Sequence, residues 1–163
     1  MNIIAAADKN WGIGKDNSLL DHIPEDMKFF RETTSGKAVI MGKNTFLSFP
    51  GPKALPNRLN IVLTHDKSFD YPDVTVCDDL TKAIELACKQ YNDEDIFIIG
   101  GESVYNAAEP FCNVAYITKI DKEYDADRHL ADFDNLPQWR IATEEMVKTQ
   151  KGIYITFVKY VRN

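Results

Sequence analysis

The sequence predicts an α/β fold: a single domain over residues 1–163 with a mostly parallel eight-stranded central sheet, an antiparallel C-terminal strand and four flanking helices. Short apolar runs alternate with helical stretches along the chain, an order typical of strand–helix–strand units around a parallel sheet. Near the C-terminus two segments alternate apolar and polar residues, which favours an antiparallel pair. A length of 163 residues suits one domain and suffices to bury a core.

The strands are predicted from short runs of apolar residues. In chain order they are Asn2–Ala7, Ala38–Met41, Leu59–Thr64, Val74–Cys77, Ile96–Ile99, Val114–Ile120, Trp139–Met146 and Ile153–Tyr160. Ligands of such sheets bind at the carboxyl ends of the strands. Functional residues are therefore expected just after Ala7, Met41, Thr64, Ile99 and Thr118.

The four predicted helices lie between these strands. They are Pro24–Thr34, Lys43–Ser48, Leu80–Tyr91 and Ser103–Phe111. Pro24 occupies the first position of its helix, where its missing N–H costs nothing. Leu80–Tyr91 has apolar residues at a helical period, with Asp78 or Asp79 as its cap. Lys9–Ile23 has no period and is predicted to be a long loop.

Composition excludes several classes of protein. The net charge of −6 argues against a nucleic-acid binder or a basic membrane-surface protein. Cys77, Cys88 and Cys112 form neither a disulfide framework nor a zinc signature, so reduced thiols in a cytoplasmic protein are expected. The apolar run Met1–Ala7 is too short for a signal peptide or a membrane span.

The charge is unevenly distributed along the chain. From Met27 through His65 six basic residues stand against one acid, a net charge of +5, so the rest of the chain carries −11. This pattern predicts a basic cleft on an acidic body, which is what anionic small molecules need.

Asp26 is the first candidate for chemistry. It lies in the first turn of a predicted helix, and the apolar Phe30 four residues later shares its face. The helix N-terminus favours the anion, whereas an apolar pocket favours the neutral acid. Such a carboxyl can hold an amidine-like ligand and tune proton transfer. The alternative is an acid that only satisfies the helix dipole, a role for which Glu25 is the better candidate.

Two turns have the order strand, glycine, helix. They are Ile99-Gly100-Gly101 and Met41-Gly42-Lys43, and together they could hold a dinucleotide pyrophosphate by backbone N–H groups. Thr64-His65 ends a third strand and offers a hydroxyl and an imidazole to a further phosphate. The alternatives are a tight turn at Gly100-Gly101 and a solvated loop histidine at His65, since the glycine fingerprint of dinucleotide folds is absent.

Arg58 precedes a predicted strand. Its guanidinium can pair bidentately with a ligand carboxylate. The alternative is an arginine that is solvated or paired with a surface acid.

In order along the chain, these pieces resemble the dihydrofolate reductase family, of the bacterial chromosomal type. The matching residues are Ile13-Gly14, Asp16-Asn17, Ile23 to Phe30, Val39 to Gly42, Thr45-Phe46, Leu55 to Arg58, Asn60 to Thr64, Ile99 to Gly101, Val104-Tyr105 and Tyr116 to Ile120. The resemblance implies that the chain is an oxidoreductase with a dihydrofolate reductase domain over residues 1–163. The implied reaction is NADPH-dependent reduction of 7,8-dihydrofolate to tetrahydrofolate, by hydride transfer to C6 and protonation of N5.

The resemblance also implies the substrate side of the site. Asp26 would bind the pterin and promote protonation through water, and Thr118 would orient it; these two are the implied catalytic residues. Phe30 would stack on the pterin and Arg58 would hold the α-carboxylate. The implied substrate-binding set is Ile4, Ala5, Leu20, Asp26, Met27, Phe30, Phe49, Arg58, Ile99 and Thr118.

For NADPH the resemblance implies a separate set and a preference over NADH. The set is Ala6, Ile13, Gly14, Asn17, Leu19, Gly42, Lys43, Asn44, Thr45, Leu63, Thr64, His65, Ile99, Gly100, Gly101, Glu102, Ser103, Val104 and Tyr105. Within it Lys43, Thr64 and His65 would surround the 2′-phosphate. No metal, nucleic acid or membrane is implied. Dihydrofolate is the expected substrate, antifolates such as methotrexate or trimethoprim are the expected inhibitors, and the expected state is a cytoplasmic monomer.

The chain departs from the family pattern at four places. Asp21 stands where a tryptophan is usual, and its charge would raise the pKa of Asp26 unless it turns outward. Lys43-Asn44 replaces an arginine followed by histidine or lysine, Ser103 replaces an occasional basic residue, and Asp125 to Arg128 replaces Gly-Asp-Thr in a loop that supports the active-site loop Trp11–Ile23.

Two alternatives remain from the sequence. A riboflavin-pathway reductase of the same fold would lack the Pro24-x-Asp26 helix start and the Leu55-Pro56-x-Arg58 pattern. A catalytically weak or silent NADPH- or folate-binding relative is supported only by Asp21 and Lys43-Asn44.

Overall fold

The large sheet is built from the apolar runs, and the computed structural model describes all residues 1–163. The chain forms ten strands in all: β1 (Asn2–Ala7), β2 (Gly12–Gly14), β3 (Ala38–Gly42), β4 (Leu59–Leu63), β5 (Val74–Cys77), β6 (Ile96–Gly100), β7 (Val114–Ile120), β8 (Arg128–His129), β9 (Trp139–Lys148) and β10 (Tyr154–Arg162). The helices are α1 (Pro24–Thr34), α2 (Lys43–Leu47), α3 (Leu80–Cys88) and α4 (Glu102–Ala108). Three 3-10 turns cover Asp93–Asp95, Glu109–Phe111 and Phe133–Asn135.

Eight of these strands form one sheet in the order β5-β4-β3-β6-β1-β7-β10-β9. The first six are parallel to one another, whereas β10 runs antiparallel to both β7 and β9. The predicted sheet, its antiparallel C-terminal strand and the four helices are therefore confirmed. The remaining strands, β2 and β8, form a small antiparallel ribbon of their own.

Both faces of the central strands β1, β3, β4 and β6 are buried. Neighbouring residues along a strand point to opposite faces, and Ile3 and Ile4 of β1 accordingly enter two different apolar clusters. Ile61 and Val62 of β4 divide in the same way. Burial on both faces explains why these strands are continuous apolar runs in the sequence.

Some boundaries differ from the predicted ones. The predicted helix Ser103–Phe111 is α4 followed by a 3-10 turn with Pro110 near its start, because proline has no N–H to continue the α-helical pattern. Helix α3 ends at Cys88, where a turn begins: the N–H groups of Gln90 and Tyr91 both donate to the carbonyl of Ala87. Asp79, one of the two proposed caps, accepts from the N–H of Lys82.

The prediction of one long loop over Lys9–Ile23 was wrong in part. Strand β2 lies within it and pairs with β8, a two-residue strand that no sequence pattern indicates. The N–H of Leu130 also donates to the carbonyl of Trp11 at 2.8 Å. A partner more than a hundred residues away defines this ribbon, so neither strand has a local signal. No helix is long and apolar enough to cross a membrane.

Truncating the core of β4 should destabilise the fold strongly. Ile61 is 0% exposed, so Ile61→Ala loses apolar burial and leaves a cavity. We expect a loss of about 2–5 kcal/mol in the free energy of unfolding measured with urea. Ile141→Ala, at a β9 position that is 42% exposed, is the matched control and should cost below about 1 kcal/mol. Equal losses for both variants would contradict this packing.

Candidate active site

Helix α1 brings Asp26 to the edge of the sheet. Its N-cap residue is the buried Ile23, Pro24 follows, and Glu25 and Asp26 occupy the first turn. Asp26 is partly buried beside the buried Thr118 of β7. Burial raises the pKa of Asp26, while the Thr118 hydroxyl stabilises the anion and opposes that rise. The result is a partly exposed carboxyl that takes up a proton more easily than a fully solvated aspartate does.

Glu25 has a different role from the simple dipole partner suggested by the sequence. Its Oε2 accepts a hydrogen bond from the N–H of Gln150 at 2.8 Å, and its Oε1 is buried without a partner. Glu25 therefore links the start of α1 to the β9–β10 turn. The acid left free for ligand chemistry is Asp26.

Asp21 faces one cation and one hydroxyl. Its Oδ1 lies 2.6 Å from Nζ of Lys151, and its Oδ2 accepts from the hydroxyl of Tyr124 at 2.6 Å. These partners lower the pKa of Asp21 itself. The raised pKa of Asp26 has burial as its cause and no contribution from Asp21. Of the two alternatives for Asp21, the structure favours the one in which its charge is turned away from Asp26.

Aromatic residues and an arginine extend the site beyond Asp26. Phe30 and Phe49 pack against the apolar cluster that contains Ile4 and Ile99. The guanidinium carbon of Arg58 lies 5.9 Å from the centre of the Phe30 ring. These residues, predicted separately from distant parts of the sequence, are thus neighbours.

Arg58 has no carboxylate partner. Its Nη1 donates to the Thr34 hydroxyl at 3.0 Å and its Nε to the Pro56 carbonyl at 2.9 Å. Burial, followed by the nearby charge of Arg31, lowers the pKa of Arg58. The alternative of an arginine paired with a surface acid is wrong, and an anionic ligand would relieve the unpaired charge.

Two further substrate candidates have less defined surroundings. Met27 is half-buried on α1, and Leu20 is half-buried in the segment before it. Ala5, by contrast, lies on β1 and lines a large cavity at the ends of the strands.

A cavity of about 730 Å³ opens where β1, β3, β4 and β6 end. All nineteen residues proposed for the cofactor line it. Its size is in the range of pockets for organic ligands. The rule that ligands bind at the carboxyl ends of parallel strands therefore located the cavity at three of the five expected positions, those after Met41, Thr64 and Ile99, whereas the residues after Ala7 and Thr118 lie outside it.

Two glycine turns approach each other in this cavity. Gly100 has φ +125°, and a Cβ built there would lie 3.3 Å from Oγ1 of Thr45 and 3.3 Å from Cε2 of Tyr105. A Cβ on Gly42 would lie 3.3 Å from Cγ2 of Val104. The N-cap residues Gly42 and Gly101 place no side-chain cap on α2 and α4, so the first N–H groups of both helices are open to a ligand.

Eight residues of the cavity lining were not proposed for the cofactor. They are Ala5, Lys15, Ser18, Ser48, Asp78, Asp79, Leu80 and Arg128. Asp78 and Asp79 follow β5, whose carboxyl end lies at the same edge, so the strand-end rule applied to Cys77 as well could have found them. Arg128 lies on β8 and has no comparable signal.

The net positive charge of the basic block, residues 27–65, is partly neutralised in the folded protein and is therefore smaller in effect than the sequence predicts. Nζ of Lys43 lies 2.8 Å from Oδ2 of Asp66, and Nζ of Lys37 lies 2.7 Å from Oδ1 of Asp95. The Lys43 ammonium, together with Ser68, lowers the pKa of Asp66 to about 2. Both acids lie outside the basic block of the sequence, so folding neutralises charges that a count along the chain leaves free.

The loop around β2 is held by the segment that departs from the family pattern. The N–H of Asp127 donates to the carbonyl of Gly14 at 2.9 Å, and Oδ2 of Asp127 accepts from the N–H of Asp16 at 3.1 Å.

No group of three or more His, Cys, Asp or Glu side chains is arranged to hold a metal ion.

Removing the Thr118 hydroxyl should raise the pKa of Asp26 further. That hydroxyl stabilises the carboxylate, and Thr118→Val preserves shape in a buried strand while removing the donor. Titration of the Asp26 carboxyl carbon by NMR measures the shift. Thr75→Val, on the distant edge strand β5, is the control and should leave the titration unchanged. An unchanged or lowered pKa in Thr118→Val would contradict the assignment.

Comparison with known proteins gives a consistent result. A family model described as dihydrofolate reductase matches residues 1–162. The chain is 36% identical to dihydrofolate reductase of Bacillus subtilis over 154 residues, covering 94% of this chain and 89% of that protein. It is 37% identical to the Buchnera aphidicola enzyme over 161 residues, covering 96% and 94%.

A solved structure agrees. Dihydrofolate reductase from Enterococcus faecalis, complexed with NADP(H) and RAB-propyl, superposes with a TM-score of 0.89 at 28% identity, covering 99% of this chain and 95% of that one. The match of a family model to almost every residue, joined to relatives above 35% identity along nearly their whole length, means that the chain belongs to the dihydrofolate reductase family.

Proposed function

We propose that this chain reduces 7,8-dihydrofolate to 5,6,7,8-tetrahydrofolate with NADPH, and thereby serves one-carbon metabolism. The observation that carries the proposal is the partly buried Asp26 carboxyl with its raised pKa, whose charge acts on Tyr105 in the lining of the cavity of about 730 Å³. Family membership and the NADP(H) complex of the Enterococcus faecalis relative support the same cofactor here.

The donors of the cavity suit a dinucleotide. A side chain at Gly42 would crowd Val104 and one at Gly100 would crowd Thr45 and Tyr105, so the glycines leave room for a pyrophosphate to approach the backbone there. Lys43 and Thr45 would add a charge and a hydroxyl, and the wider set listed for the cofactor would complete the site. When bound, NADPH supplies the hydride that C6 of the substrate accepts.

Asp26 and Arg58 would hold the two ends of the substrate. The Asp26 carboxylate can accept two parallel hydrogen bonds from N3 and the 2-amino group of the pterin. Arg58, which has no acid partner, would bind the α-carboxylate. Phe30 between them would stack on the pterin, and Phe49 would line the path with Leu20 and Met27.

Protonation of N5 would depend on Asp26 acting through water. Burial raises its pKa and so brings the protonated form closer to neutral pH. The Thr118 hydroxyl would orient the carboxyl. Residues Trp11–Ile23 would close over the reacting groups and exclude bulk water, with Asp127 holding the loop at Gly14.

We also propose the domain organisation, the cellular location, the oligomeric state and the inhibitors of this protein. Residues 1–163 would act as one domain, and the enzyme would be a cytoplasmic monomer inhibited by antifolates such as methotrexate or trimethoprim. Three free cysteines support a reducing compartment.

The reaction can be followed directly by loss of NADPH absorbance at 340 nm. With dihydrofolate the wild-type protein should consume NADPH, and methotrexate should stop it. Absence of consumption, or consumption insensitive to methotrexate, would contradict the proposal; binding of NADPH without turnover would indicate a silent relative.

Replacing the acid should remove most of the turnover. At neutral pH we expect Asp26→Asn to reduce kcat/KM by about 10²–10⁴-fold, because the amide cannot promote protonation. The defect should shrink as pH falls, since solvent then protonates the substrate, while the Kd for NADPH stays unchanged. Asp70→Asn, an exposed acid without a partner, should retain wild-type kinetics. Full turnover in Asp26→Asn at neutral pH would refute the role of Asp26.

Arg58→Gln should weaken substrate binding selectively. A charge-assisted hydrogen bond to the substrate carboxylate would be lost, so KM for dihydrofolate should rise about ten- to hundred-fold. The Kd for NADPH, measured by fluorescence, should not change. The exposed Arg140→Gln is the control. An unchanged KM would remove Arg58 from the substrate site.

A further inference from the structure

The pair Lys43–Asp66 lies at one end of the main cavity. Lys43, Thr64 and His65 line the cavity there, and Oδ2 of Asp66 is 2.8 Å from Nζ of Lys43. Under the proposed function this is where the 2′ position of the adenosine ribose would lie, and the role inferred for Asp66 rests on that function. The ammonium that would meet a 2′-phosphate already has a carboxylate partner.

Asp66 is held firmly in its position. Its Oδ1 accepts from the hydroxyl and the N–H of Ser68, at 2.6 Å and 3.0 Å, and its own N–H donates to Oγ1 of Thr64 at 3.0 Å. The carboxylate therefore cannot withdraw freely when an anion enters. A bound 2′-phosphate would compete with a fixed negative charge for Lys43.

The charges that follow the neighbouring strand β5 do not compensate. Asp78 and Asp79 line the same cavity, and they hold the nearby Lys82 at 2.9 Å and 3.9 Å. Strands β4 and β5 pair Leu63 with Cys77, so these acids follow the strand next to Thr64. A phosphate monoester carries up to two negative charges near neutral pH, whereas a ribose hydroxyl is neutral and can donate to a carboxylate.

We propose that Asp66 is a specificity-determining residue that weakens discrimination between NADPH and NADH by competing with the 2′-phosphate for Lys43. The chain still takes NADPH, but the phosphate contributes less to binding than an unshared Lys43 would allow. Specificity is the difference between the binding free energies of two ligands. The Asp66 carboxylate would repel the 2′-phosphate of NADPH and could accept a hydrogen bond from the 2′-hydroxyl of NADH, so it would reduce that difference from both sides.

Calorimetric titration with two nucleotides tests this without relying on turnover. Adenosine 2′,5′-bisphosphate carries the 2′-phosphate, and adenosine 5′-monophosphate lacks it. In Asp66→Asn, which keeps an oxygen for Ser68, the bisphosphate should bind about three- to ten-fold more tightly. The monophosphate should change by less than about two-fold. In a Lys43→Gln background the gain from Asp66→Asn should shrink, because the contested ammonium is gone.

The control is Asp70→Asn, which removes an acid from the same loop and should alter neither affinity. Unchanged or weaker bisphosphate binding in Asp66→Asn, or an equal change for both nucleotides, would overturn the proposal. The wild-type assay at 340 nm is independent of this result: loss of dihydrofolate reduction would refute the proposed function, whereas the ratio of nucleotide affinities judges Asp66 alone.

Discussion

The parallel alignment of β1, β3, β4 and β6 is the constraint on which the site depends. Parallel pairing places the carboxyl ends of all four strands at one edge of the sheet, and the registers bring Gly42 opposite Leu63 and Met41 opposite Gly100. Residues separated by dozens of positions therefore meet around one cavity. Apolar burial on both faces holds this alignment, so the geometry of the site follows from the packing of the core.

The chemistry depends on a compromise at Asp26. A fully solvated acid would stay ionised at neutral pH, and a deeply buried one would be neutral and could not hold a cationic edge. Here burial raises the pKa while Thr118 limits the rise. Thr118 pairs with Ala6 across β7 and β1, so the residue that tunes the acid belongs to the same sheet edge as the cavity.

Local patterns predicted the regular elements well and the tertiary charges poorly. Proline at the start of α1 and the apolar runs of β5 and β7 gave the same bounds in the sequence as in the structure. Strands β2 and β8, in contrast, are defined only by their pairing with each other, and they lie too far apart in the sequence for a local pattern to indicate both. The same limit explains the basic cleft, because the acids that neutralise Lys37 and Lys43 approach them only after folding. The sequence left the orientation of the Asp21 side chain open for the same reason, because its partner Lys151 lies 130 positions away in the chain.

In the proposed reaction, Asp26 and the cavity bring a dihydropterin and a hydride donor together. The most direct measurement uses NADPH carrying deuterium at the reactive C4 position, with the wild-type protein and dihydrofolate in ordinary water. NMR and mass spectrometry of the product should find the deuterium at C6 of tetrahydrofolate. A product without deuterium at C6, or no tetrahydrofolate at all, would contradict the account.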